Sequence, residues 1–437
     1  MSNDQFTILG GGIAGLSAAA RLREVGLDVP VFEAADRPGG LLDSFTLDTP
    51  EGRWTFDNAV HLSFASEPEV RAVFDKTPYL SHEARSLNWD NGYWLPHPVQ
   101  NNMFPLPPEE RTELIVGLAT HLAEVPADSA IVTYRDWLLH QYGEQIAERW
   151  PLRYTRKYWT LDAADLGTGW VGNRMRRAEL REVVLGAVSE NPPNTYYVST
   201  MRYPEKGGYR AVLDPLLETA DIRCGHRAVK VDNQRREVTF SNGQMRRYDQ
   251  MISTMPLPEL INGMTDVPDE IRRLADTLFA TSIDIVSIGF RKPDVSPSLW
   301  FYIYDTDILA SRAYSPSIKS PHNAPEGCSS LQFEIYSSRA SGHGLGADEL
   351  VEGCIEAVET MGLALRDEIV LAHHKHLPFG NVVFDIGMEE RRDTVRDWVT
   401  SQGILLAGRF GEWDYLWSNQ AFMSGRSAAD ALVASLR

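Results

Sequence analysis

Three glycines near the start of the chain have the spacing of a phosphate cradle. Gly10, Gly12 and Gly15 make G-x-G-x-x-G, and Glu33 stands about 20 residues further on. Gly10 allows a tight turn, Gly12 lets backbone amides approach a pyrophosphate, and Gly15 permits close helix–strand packing. A helix starting there offers unpaired N–H groups and positive potential to an anion, and Glu33 can accept from ribose hydroxyls. These residues predict a dinucleotide site. Other clusters predict less. His373-His374-Lys375-His376 suggests a metal, but neighbours in a strand point to opposite faces. With no carboxylate at ligand spacing, no metal is expected. Gly342-His343-Gly344-Leu345-Gly346-Ala347 imitates a nucleotide fingerprint without the acid that should follow, and reads as a surface loop. Cys224, Cys328 and Cys354 lie far apart without a C-x-x-C, against both a disulfide framework and a thiolate zinc site. No Ser-His-Asp or Cys-His constellation stands out.

The scaffold that must hold these residues is legible in outline. Residues 6–9 read as a strand, 16–25 as a helix and 29–32 as a second strand ending at Glu33, which makes a β-α-β unit. Strands are predicted at 229–231, starting with Val229, and at 238–240 and 248–256, with a turn at Asn242-Gly243. A strand at 404–407 leads through Gly408-Arg409 to a helix over 419–436. Residues 103–192 are helical in pattern, at 109–123, 134–142, 145–150 and 175–188. Residues 262–395 mix strands at 284–290, 299–304 and 330–336 with a helix near 347–361. A length of 437 residues, 43% hydrophobic, suits about three globular domains. Disorder, collagen and coiled coil are excluded on composition. The net charge of −18 opposes binding to nucleic acid. No run reaches the roughly 18 apolar residues of a membrane helix, and no basic leader is seen, so a cytoplasmic protein with no membrane partner is expected. The oligomeric state is left open, a homodimer being one arrangement.

Arg37-Pro38-Gly39-Gly40 follows the β-α-β unit directly, and this R-x-G-G resembles the second phosphate-proximal element of two-dinucleotide-type flavoproteins. The resemblance implies FAD. It also implies that the segment around Val229 returns to the nucleotide-binding domain, and that Gly408, Arg409, Asn419 and Gln420 meet the flavin pyrophosphate and ribityl chain. The predicted fold class is therefore α/β: a Rossmann-type FAD-binding domain (1–102 with 193–261 and 396–437), a helical insertion (103–192) and a mixed or antiparallel β-sheet substrate domain (262–395).

Five blocks then follow in order: Trp94-Leu95-Pro96-His97-Pro98-Val99-Gln100-Asn101-Asn102, Tyr154-Thr155-Arg156-Lys157-Tyr158-Trp159, Trp170-Val171-Gly172-Asn173-Arg174, Arg202-Tyr203-Pro204-Glu205-Lys206-Gly207-Gly208, and Gly408-Arg409-Phe410-Gly411-Glu412-Trp413-Asp414-Tyr415 with Asn419-Gln420. Collinear over most of the chain, they resemble the blocks of UDP-galactopyranose mutases, particularly the eukaryotic-type branch. The resemblance implies a redox-neutral isomerisation of a nucleoside diphosphate hexose between pyranose and furanose forms. In that chemistry reduced flavin N5 attacks the anomeric carbon and displaces the diphosphate. NAD(P)H is implied as the reductant in some members.

The resemblance sets Arg174 and Arg312 on the diphosphate, where guanidinium geometry suits the leaving group. Tyr415 and Asn419 match further donors, Gln100 the base side, Trp159 the sugar side, and His61 the flavin-facing histidine; Asn101 is expected among the substrate-binding residues. His61, Arg174 and Arg312 are the expected catalytic residues. Departures gather at two places. Ala59 and Val60 stand where the pattern has glycines before the histidine. His97 replaces a tyrosine that stacks on the base and Val99 an aromatic, so the base pocket is expected to differ and the nucleotide sugar with it; Asn381 stands where the pattern has a phosphate-binding tyrosine. Two other readings stand beside the mutase: an FAD-dependent oxidoreductase of the amine-oxidase or protoporphyrinogen-oxidase type, and a flavoprotein that binds without turnover.

Overall fold

The strand Phe6–Leu9 is buried along its whole length and runs directly into Gly10. It lies at the centre of a parallel five-stranded sheet in the order Ile404–Leu406, Gln250–Ser253, Phe6–Leu9, Val31–Phe32, Ile222–Arg223. The computed structural model describes residues 6–125, 130–172, 179–190, 192 and 199–436. Successive residues of these strands face opposite layers, as the period of two demands. Ile8, Val31 and Ile252 pack under the helices, whereas Leu9, Phe32, Met251 and Ile404 pack toward a three-stranded sheet that carries Val231, Val238 and Phe240. Both faces being covered, the strands read as apolar runs rather than alternations. The helices Ile13–Glu24 and Ser418–Ser435 cross at backbone contact: a Cβ at Gly425 would stand 2.1 Å from the Ala14 carbonyl oxygen.

The second large sheet has seven strands, in the order Ile369–Leu377, Ser282–Phe290, Ser329–Ser337, Arg312–Tyr314, Trp300–Ile303, Ser86–Asp90, Tyr93–Pro96. All its pairings are antiparallel except Trp300–Ile303 with Ser86–Asp90. One face, with Val286, Ile288 and Phe290, lies under the helix Ala347–Thr360. The other turns toward the cofactor side, where Gly289 lies against the Trp54 ring. Residues 86–96, expected within the 1–102 part of the FAD-binding domain, thus hydrogen-bond into the substrate sheet. The sequence hid this because a parallel edge pairing across more than two hundred residues leaves no local trace. We propose that the substrate domain takes in that hairpin.

Among the described residues of the insertion the structure is helical: Pro108–Glu124, Tyr134–Arg149, Pro151–Trp159 and Leu180–Val188. Proline in the first turn and a Thr133–Asp136 capping box start them. Gly143, at φ 68°, breaks the second helix, which fits the two segments read from sequence. Trp150, Trp159 and Trp170 anchor these helices in the largest core cluster, beside the cofactor sheet.

Candidate cofactor and substrate site

The backbone between Gly10 and Gly40 forms a cradle. Gly10 has φ +101°, and a Cβ there would meet Thr254 Oγ1 at 2.1 Å; a Cβ on Gly15 would meet the Gly10 carbonyl oxygen at 2.0 Å. Gly12, by contrast, faces open space, with nothing within 4 Å of where its Cβ would be. Gly12 is also the N-cap of the helix Ile13–Glu24 and provides no capping side chain, so the first helical N–H groups point outward without one. The second glycine loop closes on the first, with Gly39 N–H donating to the Gly11 carbonyl at 3.0 Å. Glu33 ends its strand with Oε2 accepting the Gly11 N–H at 2.6 Å and Oε1 the Ala35 N–H at 2.8 Å. Each oxygen keeps a lone pair for a ribose hydroxyl. Glu33, Arg37, Gly40, Asn58 and Lys375 line a cavity of about 320 Å³. This donor set and the clear space before Gly12 fit the adenosine diphosphate half of FAD.

The loop after Asp57 carries His61. Asp57 is fully buried, and its carboxylate accepts from Ser44 Oγ, the Tyr203 hydroxyl and the Tyr209 N–H, with the equally buried Lys319 ammonium at 3.3 Å. Removing one partner of such a pair costs about 3–5 kcal/mol. His61 packs on the Tyr209 ring, and its Nδ1 lies 2.8 Å from the Ala59 carbonyl. That carbonyl can only accept, which assigns the proton to Nδ1 and leaves Nε2 as an acceptor. Burial lowers its pKa to about 4, so the ring is neutral at pH 7.

Across from this loop stands a cluster of aromatic rings around one guanidinium. Arg312 lies over the Tyr158 ring, pairs with the buried Glu334 carboxylate and donates to the Tyr336 hydroxyl at 3.0 Å. Burial works against the Arg312 charge, and Glu334 outweighs it. The Tyr158 and Tyr415 hydroxyls are 2.9 Å apart, and Trp159 packs against both Trp170 and Tyr415. Burial pushes Tyr415 up, so it remains a neutral phenol. The rings of Tyr154 and Tyr302 continue the wall to His97, whose centroid is 4.8 Å from Tyr302.

The structure therefore brings Trp159, Arg312 and Tyr415 together, and sets His61 on the far side of Glu334, which touches both Arg312 and the loop. Arg174 lies outside the described residues. Gln100 is half-buried in the turn Val99–Asn101, and Asn101 donates to Glu182 at 3.2 Å. Asn419 donates to Glu67 at 2.7 Å, and Gln420 caps its own helix by accepting the Trp417 N–H. Arg409 is engaged by neighbouring loops. It binds the Leu416 and Gly380 carbonyls and Asn381 Oδ1 and lies over Tyr415, clamping two loops behind the aromatic wall. Arg37 is held by Asp43 and the Ser44 carbonyl at the cavity edge. Val229 is exposed, but the chain just before it joins Glu33, with His226 N–H donating to the Glu33 carbonyl at 2.8 Å. Gly408 donates its N–H to Ser424 Oγ at 2.8 Å.

One expectation about the histidines needs correcting. His373 and Lys375 do point to the cofactor side and His374 and His376 to the other, but a carboxylate is present there. Asp284, paired in register with His376, accepts from His374, His376 and His343 at 2.8–3.1 Å. Asp284 is on a different strand, invisible to sequence spacing. Among the described residues no group of His, Cys, Asp or Glu is placed to hold a metal. The residues that sequence reading missed are Glu334 and the phenols of Tyr154, Tyr158, Tyr302 and Tyr336. A signal existed for two of them. Gln332, Glu334 and Tyr336 recur at every second position of an otherwise apolar strand, the pattern of one face turned toward a polar site.

A glycine cradle on a parallel sheet, opposed by a second sheet and a helical insertion, defines a dinucleotide-dependent enzyme fold with its site at the junction. The sequence profile of flavin containing amine oxidoreductases matches residues 13–433. The chain belongs to that family, and FAD is its cofactor. Within it the chain is UDP-galactopyranose mutase-like: a reduced UDP-galactopyranose mutase superposes with a TM-score of 0.92 at 27% identity, covering 99% of this chain and 96% of that one. Putrescine oxidase bound to putrescine superposes with a TM-score of 0.66 at 16% identity over 99% of both chains, and so shares the fold. Protoporphyrinogen oxidase 2 of Arabidopsis thaliana is 35% identical over 75 residues, which span 17% of this chain and 14% of that protein. No helix among the described residues is long and apolar enough to cross a membrane.

Proposed function

We propose that this flavoenzyme is a nucleotide-sugar mutase that interconverts the pyranose and furanose forms of a nucleoside diphosphate hexose. The observation that carries the reading is the half-buried Arg312, set among phenols and tied through Glu334 to the His61 loop. Oxidation of an amine has no use for a guanidinium at that place, whereas a departing diphosphate does. The reduced flavin, when bound, supplies the nucleophile for the anomeric carbon.

The chain's own residues hold the rest. Arg312, with Arg174, gathers the charge of the leaving diphosphate, and the Tyr158 and Tyr415 hydroxyls donate to it. Trp159 and Trp170 wall the sugar from water, and neutral His61 presents Nε2 to a sugar hydroxyl. His97 and Val99 in place of aromatics make the base pocket unlike one for uracil, so the nucleotide differs.

One observation favours the oxidoreductase reading instead. The loop before His61 is strapped at Val60 and has no glycine to let it follow the flavin. The two readings separate in one assay. Protein reduced anaerobically with dithionite is incubated with UDP-, GDP- and dTDP-hexoses, and products are resolved by anion exchange and mass. A new peak of unchanged mass that needs reduced flavin is expected. No isomer from any sugar, together with bleaching of the oxidised flavin by an amine or porphyrinogen, overturns the mutase.

A further inference from the structure

Glu334 stands between the two halves of the site. It is fully buried in the strand Ser329–Ser337. Its Oε1 accepts the Val60 N–H at 2.7 Å, one residue before His61. Its Oε2 accepts from Arg312 Nε and, at 2.7 Å, from the Tyr336 hydroxyl, to which Arg312 Nη2 also donates. Burial pushes this carboxyl up, but Arg312, Tyr336 and the Val60 N–H more than offset it and hold it ionised below its ordinary value. Two residues earlier on the same face, Gln332 grips the start of the loop. Its Oε1 accepts the Asp57 N–H at 3.2 Å, and its Nε2 donates to the Asp57 carbonyl and to Ser287 Oγ, each at 3.0 Å. One strand therefore holds the flavin-facing loop at both ends: the Asp57 end is paired with the fully buried Lys319, and the Glu334 end with Arg312 in the aromatic cluster.

We propose that Glu334 is a positioning residue that couples anion binding at Arg312 to the flavin-facing loop, so that diphosphate affinity and flavin redox state depend on each other. The proposal rests on the mutase reading, which supplies the diphosphate. An anion that takes the Nη groups of Arg312 draws on the charge that now stabilises Glu334. The carboxylate then depends more heavily on its other donors, and Val60 N–H is one of the two that remain. A change of charge at the flavin acts on the same bond from the other side. Coupling of this kind is reciprocal, typically 5- to 150-fold in affinity. In this chain, where Ala59 and Val60 replace glycines, the Glu334 strap takes the place of loop mobility as the link.

The test uses FAD-loaded protein and inorganic pyrophosphate, titrated calorimetrically into the oxidised and the dithionite-reduced forms. The flavin midpoint potential is measured with and without pyrophosphate. In the wild type the two affinities are expected to differ by about tenfold, which corresponds to a potential shift of about 30 mV for a two-electron couple. Glu334→Gln should bring the ratio within about twofold and abolish the shift while the protein stays yellow. Tyr336→Phe, which removes one shared hydroxyl and spares both charges, should give an intermediate ratio and serves if the first variant fails to fold. Ser287→Ala loosens only Gln332 and should keep the wild-type ratio. Equal affinity in both redox states, a full ratio in the Glu334 or Tyr336 variant, or loss of the ratio in Ser287→Ala overturns the coupling and leaves the diphosphate site standing. No pyrophosphate binding in either state sinks the mutase reading and the coupling together.

Discussion

Between Gly10 and Gly40 the site is made of backbone, whereas around Arg312 and Tyr415 it is made of side chains. The cradle depends on places where no side chain fits, such as the 2.0 Å approach to the Gly10 carbonyl that a Cβ on Gly15 would make. The proposed anion grip depends on five rings and one ion pair contributed by a helix of the insertion, two strands of the large sheet and the loop before the last helix. Backbone geometry tolerates almost any neighbour but no substitution at the glycines. A side-chain grip can change its specificity residue by residue. A fold shared with putrescine oxidase at 16% identity leaves room for such change.

The comparison breaks first at Arg312. Arg312→Ala removes the cation and strands the buried Glu334 carboxylate. Turnover of the nucleotide sugar should fall about a thousandfold in kcat/KM, and stability by about 3–5 kcal/mol. The flavin spectrum should be retained, because no part of the cradle is touched. Loss of FAD in this variant would mean that the two regions are one unit. The converse is Gly15→Ala. Its Cβ collides with backbone, and displacing the turn by about 3 kcal/mol should weaken FAD about a hundredfold in an equilibrium dialysis assay. Once FAD is saturating, the substrate KM should be unchanged. Glu33→Gln is milder. It exchanges charge-assisted hydrogen bonds for neutral ones, a loss of about 1.4 kcal/mol, so FAD affinity should drop about tenfold in the same assay.

The same division decides what could be read from the sequence. The β-α-β unit, both glycine loops and the returning strands at Gln250–Ser253 and Ile404–Leu406 were legible, because each is a local pattern with its own punctuation. The helical insertion was legible in period and caps. Arg312, Trp159 and Tyr415 were reached only through resemblance to a family. Nothing near Arg312 in sequence indicates that Glu334 lies across the strand pair, opposite it in register. Tyr302 and Tyr336 were unremarkable aromatics until the sheet set them beside Tyr154 and Tyr158. Arg409, read from a cofactor-like motif, also binds the Leu416 and Gly380 carbonyls, contacts that its local sequence does not announce. Lys157, in the Tyr154–Trp159 block, donates its ammonium to the Ile303 and Asp305 carbonyls.

The division also carries a pH signature. Backbone amides do not titrate, so acid sensitivity near neutrality should arise from the side-chain region. His97, packed on Tyr302, has its pKa lowered by burial from 6.5 to about 4. The folded value lies below the unfolded one, so between those two values the unfolded chain binds the extra proton. Stability from this residue is therefore complete above about pH 6.5 and is lost progressively as the pH falls toward 4. Relative to pH 7, the loss at pH 5.5 should be about 1 kcal/mol from His97, visible as a lower urea midpoint of the FAD-loaded protein. His61, lowered to the same value, adds a loss of its own. His97→Tyr removes one of the rings whose pKa burial lowers, His82 and His373 being others, and keeps an aromatic against Tyr302. It should recover about 1 kcal/mol of the acid loss at pH 5.5 while leaving the FAD affinity at pH 7 unchanged. An undiminished loss in that variant would move the acid sensitivity away from the base pocket, and a change in FAD affinity would join the two regions that the other variants separate.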